Sequence, residues 1–133
     1  MSTLRSPHPN KGECNCLVCE LGIKCHNRNF VYEAKCNKCD KLYIGGSSRP
    51  AKKRILEHES ALRLDSQTER SSIAKHNLEA HNKESKDIKE MFKFTMVDKG
   101  KDGVDTFIRE GIILKNRDQK LHINEMMENG FVR

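Results

Sequence analysis

The chain has 133 residues, one third of them charged, with no tryptophan and a formal net charge of +6. That length supplies one modest core, and no run approaches the roughly 20 apolar residues that a membrane-spanning helix requires. The charge favours an anionic partner, but many ordinary proteins are this basic, so it excludes little by itself.

The opening residues, 1–13, hold two prolines and no periodicity, and read as a flexible leader without the apolar run of a secretory signal. Six cysteines without an export signal predict a reducing, intracellular setting, where thiols bind metal more often than they pair. Four of them fall in residues 14–28, as Cys14-x-Cys16-x2-Cys19-x5-Cys25 followed by His26. This stretch is too short and irregular for a regular element. It reads as a zinc-holding knuckle that is stable only with its metal, because nothing nearby can form a core. Cys-x-Cys is an awkward bite, so His26 can replace Cys25 as a ligand; the alternative is a cysteine-rich linker.

Residues 29–133 form the main domain. Phe30 to Ala34 and Leu42 to Ile44 are strand-forming runs separated by Cys36-x2-Cys39. A hairpin closing symmetrically with Cys36 opposite Cys39 sets Tyr32 opposite Tyr43, both rings on one side of the sheet. Gly45 and Gly46 permit a sharp exit in which backbone can approach a ligand. Arg49 to Leu64 reads as a helix, with Ser48 as N-cap, Pro50 in the first turn and Ala51, Ile55 and Leu62 as its apolar stripe. Arg49, Lys52, Lys53 and Arg54 put four cations within six residues, a patch suited to phosphate. Asp65 to Arg70 is predicted as polar loop. Ser71 or Ser72 caps a second helix carrying Ile73, His76 and Ala80, ending near His81.

Lys83 to Lys89 is predicted as loop, and Met91 to Val97 as a third strand, since Phe92, Phe94 and Met96 alternate with Lys93 and Thr95. After a turn at Lys99 to Gly103, Val104, Phe107, Ile108, Gly111 and Ile112 take the spacing of an amphipathic helix facing the sheet. Gly111 in that stripe suggests close packing there. Leu121, Ile123, Met126, Met127 and Phe131 are left as a strand or short helix.

Cys36-x2-Cys39 and His76-x4-His81 are each half of a zinc site by spacing. The gap between them is too long for an ordinary finger, so a metal here clips the hairpin turn to the end of the second helix. Histidines five apart on a helix diverge by roughly 140°, which predicts His81 just past the last regular turn. Four protein ligands make either cluster a closed, structural site.

Val31-Tyr32 and Tyr43-Ile44-Gly45, followed by Arg49, Arg54 and His58, resemble the signature of the GIY-YIG nucleases. The Cys-x-x-Cys between the two tyrosine strands resembles the endonuclease domain of Penelope-like retroelements, although Phe30 stands where the motif has glycine. The resemblance covers Asn29 to about Asn124. It implies an α+β fold, a small three-stranded antiparallel sheet flanked by helices, and a Cys-Cys-His-His zinc site at Cys36, Cys39, His76 and His81. It further implies a metal-dependent DNA endonuclease, with Glu110 holding magnesium (or manganese), Arg54 on the scissile phosphate and His58 as proton relay or orienting group. Tyr32 would be general base or align the water, Tyr43 would order water and phosphate, and Arg49, Lys52, Lys53 and Asn124 would contact nucleic acid. A reverse transcriptase domain in a longer parent, and a nuclear setting for a eukaryotic element, go with that family. Two other readings stay open: a zinc-stabilised nucleic-acid-binding module without cleavage, and a zinc domain that joins protein partners.

Overall fold

The computed structural model describes residues 15–117 and residue 123. The leader, Cys14, Leu121, Asn124, Met126, Met127 and Phe131 lie outside the described residues. The elements in order are α1 (Leu17–Glu20), β1 (Phe30–Cys36), β2 (Leu42–Ser47), α2 (Ala51–Arg63), a 3-10 turn over Asp65–Arg70, α3 (Ser72–His81), α4 (Ile88–Met91), β3 (Phe92–Lys99) and α5 (Gly103–Asn116). The three strands form one antiparallel sheet in the order β2-β1-β3. The predicted α+β class and three-strand sheet therefore stand.

Strand alternation builds two cores. Phe30, Tyr32, Ala34 and Cys36 of β1 face one side, with Tyr43, Phe92 and Phe94, and meet Ile55, Ala61 and Leu62 of α2 and Ile73 of α3. Val31 and Ile44 face the other side and meet Leu114 of α5. The first core is by far the larger. Each fully buried Ile, Leu or Phe in it contributes roughly 1.5–3 kcal/mol.

The hairpin register differs from the symmetric one. Tyr32 pairs with Gly45 and Ala34 with Tyr43, not Tyr32 with Tyr43. The strand continues through Cys36, whose N–H donates to Lys41 O at 2.8 Å, so the turn spans four residues. Asp40 closes it in the left-handed region at φ 66°. A shift of two residues keeps every side chain on its predicted face, so both tyrosines still share one side.

Helix α2 starts later than predicted, at Ala51, with Pro50 rather than Ser48 as N-cap and no side-chain cap. Its first two N–H groups are satisfied from far along the chain: Ala51 N–H donates to Asn27 O and Lys52 N–H to Cys25 O, both at 2.8 Å. The cysteine-rich stretch thus caps the basic helix. It is also no isolated knuckle: it contains the short helix α1, and Val18, Ile23 and Cys25 are buried in the first core. Asp65–Arg70 is a 3-10 turn rather than loop, and Ile88 and Met91 of α4 are buried. At α3, Ser71 is the N-cap, accepting from Ala74 N–H, as the capping pattern predicts.

Helix α5 presents the unexpected face. Thr106, Glu110 and Leu114 turn towards the sheet, while Val104 (71% exposed), Phe107 (60%), Ile108 (53%) and Ile112 (54%) point outward. At 100° per residue, this rotates the helix by roughly 140° from the orientation its apolar stripe predicts. Polar anchors set the rotation. Arg109 Nη1 lies 3.2 Å from Asp98 Oδ2 of β3, and Arg117 Nη2 lies 3.2 Å from Glu33 Oε1 of β1. Glu110 occupies the slot above Gly46, where a Cβ would come within 2.9 Å of its Oε1. Gly111 does not pack on the sheet: a Cβ there would meet nothing within 4 Å.

Candidate functional site

The turn after β1 and the end of α3 bring four ligand-type side chains together. Cys36 and Cys39 come from the hairpin, His76 and His81 from one helix, and their ligand atoms all lie within 4.8 Å of one another. Cys36 Sγ stands 3.3 Å from His81 Nε2, and Cys39 Sγ 3.3 Å from His76 Nε2. Zn–S bonds of about 2.3 Å and Zn–N bonds of about 2.0–2.1 Å put tetrahedral S···N edges at about 3.5 Å, so this donor set fits zinc. His81 is still helical, contrary to the expectation; Asn82 terminates the helix immediately after it in the left-handed conformation, φ 52°. The two imidazoles converge to a ring-centroid distance of 5.0 Å, nearly perpendicular, because long side chains close the angle that the backbone opens.

Burial, with His81 adding to it, lowers the His76 pKa to about 4, which keeps the imidazole in its neutral, metal-ligating form. Burial pushes the Cys36 thiol up, so a metal must displace its proton and loading weakens in acid. Cys16, Cys19 and Cys25 form a second group within the same limits, and burial raises the Cys25 thiol too. Three thiols leave a fourth position to another donor, Cys14 in the predicted set.

The second assembly lies on the same sheet face. Tyr32 is fully buried and its hydroxyl stands 2.6 Å from His58 Nε2, while His58 Nδ1 stands 2.7 Å from Ser71 Oγ. Tyr32 and Tyr43 lie with ring centroids 6.0 Å apart, diagonal neighbours rather than a directly opposed pair. Arg54 Nη2 donates to the Tyr43 hydroxyl at 3.3 Å. The chain of contacts therefore runs Ser71, His58, Tyr32, Tyr43, Arg54. It reaches solvent only at its Arg54 and Tyr43 end. Gly45 is necessary for it, since a Cβ there would come within 2.6 Å of the Tyr32 hydroxyl and 2.7 Å of Tyr43 Cε2.

Electrostatics divide these groups. Burial, then Tyr43, push Tyr32 well above the ordinary phenol value; Arg54 pulls the other way and does not prevail. Burial, then the Arg54 cation, hold His58 well below its ordinary value, so it is neutral. Burial alone would pull Arg54 down, but the two phenols and Glu57 outweigh it and the guanidinium stays charged. A phenol raised this way opposes a base role for Tyr32 as it stands. It suits a neutral hydrogen-bonded prop behind Tyr43 and Arg54.

Glu57 and Ser71 are the residues that sequence reasoning missed. Glu57 Oε1 accepts from Arg49 Nη2 at 2.7 Å and Arg54 Nη1 at 3.1 Å, aligning two of the four clustered cations. Its i+3 spacing from Arg54 was the available signal. By residue type Ser71 reads only as a cap. Lys52 and Lys53 stand exposed on α2. Glu110 does not join the tyrosines directly: it is buried on the opposite face of β2, above Gly46, while they pack against Gly45. Asn124 lies outside the described residues.

Neutral burial of His58 predicts acid sensitivity. Its folded pKa lies below the unfolded value of about 6.5, so the unfolded chain binds the extra proton and stability falls as pH drops below that point. Thermal melts from pH 7.5 to 5 in excess zinc should show a smaller decline for His58→Gln than for wild type. Equal slopes in the two proteins would mean that His58 contributes none of it.

Compared with models of protein families, with curated proteins and with solved structures, the chain finds no match in any of the three.

Proposed function

We propose that this protein is a zinc-stabilised, divalent-metal-dependent DNA endonuclease of the GIY-YIG type. The observation that carries the reading is the convergence of Tyr32, Tyr43, Arg54 and His58 in one contact chain that ends at a charged arginine beside exposed lysines. Their order along the chain resembles that of those nucleases. Arg54, already aligned by Glu57, is a planar donor with the geometry to hold a phosphate in two parallel hydrogen bonds. Tyr43 presents a hydroxyl beside it that can order water or phosphate oxygen. Tyr32, His58 and Ser71 support Tyr43 from behind as a neutral hydrogen-bonded series.

Glu110 would hold magnesium or manganese. Its carboxylate is a hard oxygen donor, seated over Gly46, the neighbour of the Gly45 against which the tyrosines pack. A single carboxylate suits magnesium, which takes its remaining ligands from water and substrate phosphate and supplies charge stabilisation there. Arg49, Lys52 and Lys53 would contact flanking phosphates, so affinity should fall steeply with salt. On this reading DNA is the partner, a reverse transcriptase domain in a longer parent protein fits the retroelement type, and a eukaryotic element would place it in the nucleus.

A second reading, a nucleic-acid-binding module without cleavage, is favoured by the complete burial of Tyr32 and by Glu110 lying across β2 from the tyrosines. Supercoiled plasmid separates the two. With magnesium the wild type should nick it, and Glu110→Ala should abolish nicking while retaining salt-dependent binding. Binding without nicking by the wild type selects the second reading, and the absence of any salt-dependent binding rejects both.

A further inference from the structure

We propose that residues 24–28 and the first turn of α2 form one surface that tracks a nucleic-acid phosphate backbone, with Lys24 and Arg28 as contacts beside Lys52 and Lys53. The surface presupposes DNA as the partner and adds a second chain segment to the face that binds it. Residues 23–28 divide by burial: Ile23 and Cys25 are buried in the first core, while Lys24, His26 and Arg28 are exposed. The carbonyls of Cys25 and Asn27 accept the Lys52 and Ala51 N–H groups, both at 2.8 Å, so this turn abuts the start of α2. Asn27 N–H closes the turn on Lys24 O at 3.0 Å. Lys99, at the end of β3, is tied to it as well, its Nζ donating to Arg28 O at 2.9 Å. Cations from three parts of the chain are thus fixed around one backbone turn. Phosphate contacts made from a fixed frame forfeit little ordering entropy.

The placement of charge points to an anionic ligand. The N-terminal turn of a helix favours acidic residues, because the helix dipole is positive there. The first turn of α2 has none, and carries Lys52 and Lys53 with no side-chain cap. Among the described residues Glu57 pairs with Arg49 and Arg54, and no carboxylate pairs with Lys24, Arg28, Lys52 or Lys53. Like charges gathered at a positive helix end repel one another until an anion neutralises them. A phosphate backbone supplies such anions at regular spacing. A lipid surface fits less well: among the described residues, no large exposed apolar side chain falls in residues 24–28 or 49–54 to enter a bilayer.

Fluorescence anisotropy of the zinc-loaded full chain on a labelled DNA duplex, with magnesium omitted and salt varied, tests this apart from cleavage. The double variant Lys24→Gln, Arg28→Gln should bind roughly tenfold more weakly than wild type near physiological salt. It should also flatten the plot of log affinity against log salt by about 1.8, since each phosphate contact contributes about 0.9. Helix content and zinc count should not change, both side chains being exposed. Lys35→Gln with Lys93→Gln removes the same formal charge at the end of the sheet opposite Ser47, which leads into α2, and should bind as wild type does. Wild-type affinity and slope in the Lys24 and Arg28 variant, or an equal loss in the control pair, would overturn the proposal while leaving DNA as the partner. Wild type without salt-dependent binding rejects both. Binding to phosphatidylserine vesicles as tight as to DNA would assign the surface to an anionic membrane and overturn it too. A flattened slope in the variant, with no nicking by wild type in magnesium, would support this surface and reject the nuclease.

Discussion

Removing zinc should unfold this protein. Chelation, or Cys36→Ser, should abolish the cooperative thermal transition and most of the helical circular dichroism signal, and mass spectrometry under native conditions should find roughly two zinc ions per intact chain. The size of the effect follows from what the proposed metal joins. Cys36 and Cys39 sit at one end of the hairpin and His76 and His81 at the end of α3, so one ion would close a loop of about forty residues. Structural zinc binding is worth roughly 10–16 kcal/mol in small zinc-dependent peptides, as much as the entire stability of an ordinary domain at about 5–15 kcal/mol. The second core cannot compensate: among the described residues it buries just Val31, Ile44 and Leu114. Loss of the second cysteine group, by Cys19→Ser, should act more locally. It should fray the start of α2, because the carbonyls of Cys25 and Asn27 accept its first two N–H groups. A chain that keeps its full melting transition in excess chelator would remove zinc from the account of the fold.

The second large effect should come from Arg54. Replacing it with alanine should lower plasmid nicking by about 10²–10³-fold, the usual cost of deleting one pre-aligned charge-stabilising donor. Arg54→Lys should recover little, because a point charge lacks the fork that spans two phosphate oxygens. The fold should survive: Glu57, the carboxylate left behind, is nearly half exposed and keeps Arg49 as its partner. A melting temperature close to wild type, with nicking lost and binding weakened only modestly, is the expected pattern. Undiminished nicking by Arg54→Ala would place the reaction elsewhere on the molecule.

Local patterns in the chain determine a large part of this structure. Strand-forming runs announce the first two strands and alternation of apolar residues the third, and spacing marks Cys36 with Cys39 and His76 with His81 as two half-sites. Ser71 caps α3 as its residue type predicts. Tyr32, Tyr43, Arg54 and His58 were legible as a group because strand parity and i, i+4 helical spacing survive a two-residue error in register.

Tertiary structure decided the rest, wherever a partner distant in sequence outweighed a local preference. The start of α2 is set by carbonyls more than twenty residues upstream, which no capping rule can see. Closure of the core pushes the Tyr32 phenol up and the His58 imidazole down, and burial is a property of the whole fold. Above all, α5 turned its charged and hydroxyl-bearing side to the sheet. Two arginine ion pairs and a glutamate seated over Gly46 outweighed an apolar stripe that the sheet, with so few buried residues on that face, had little surface to cover.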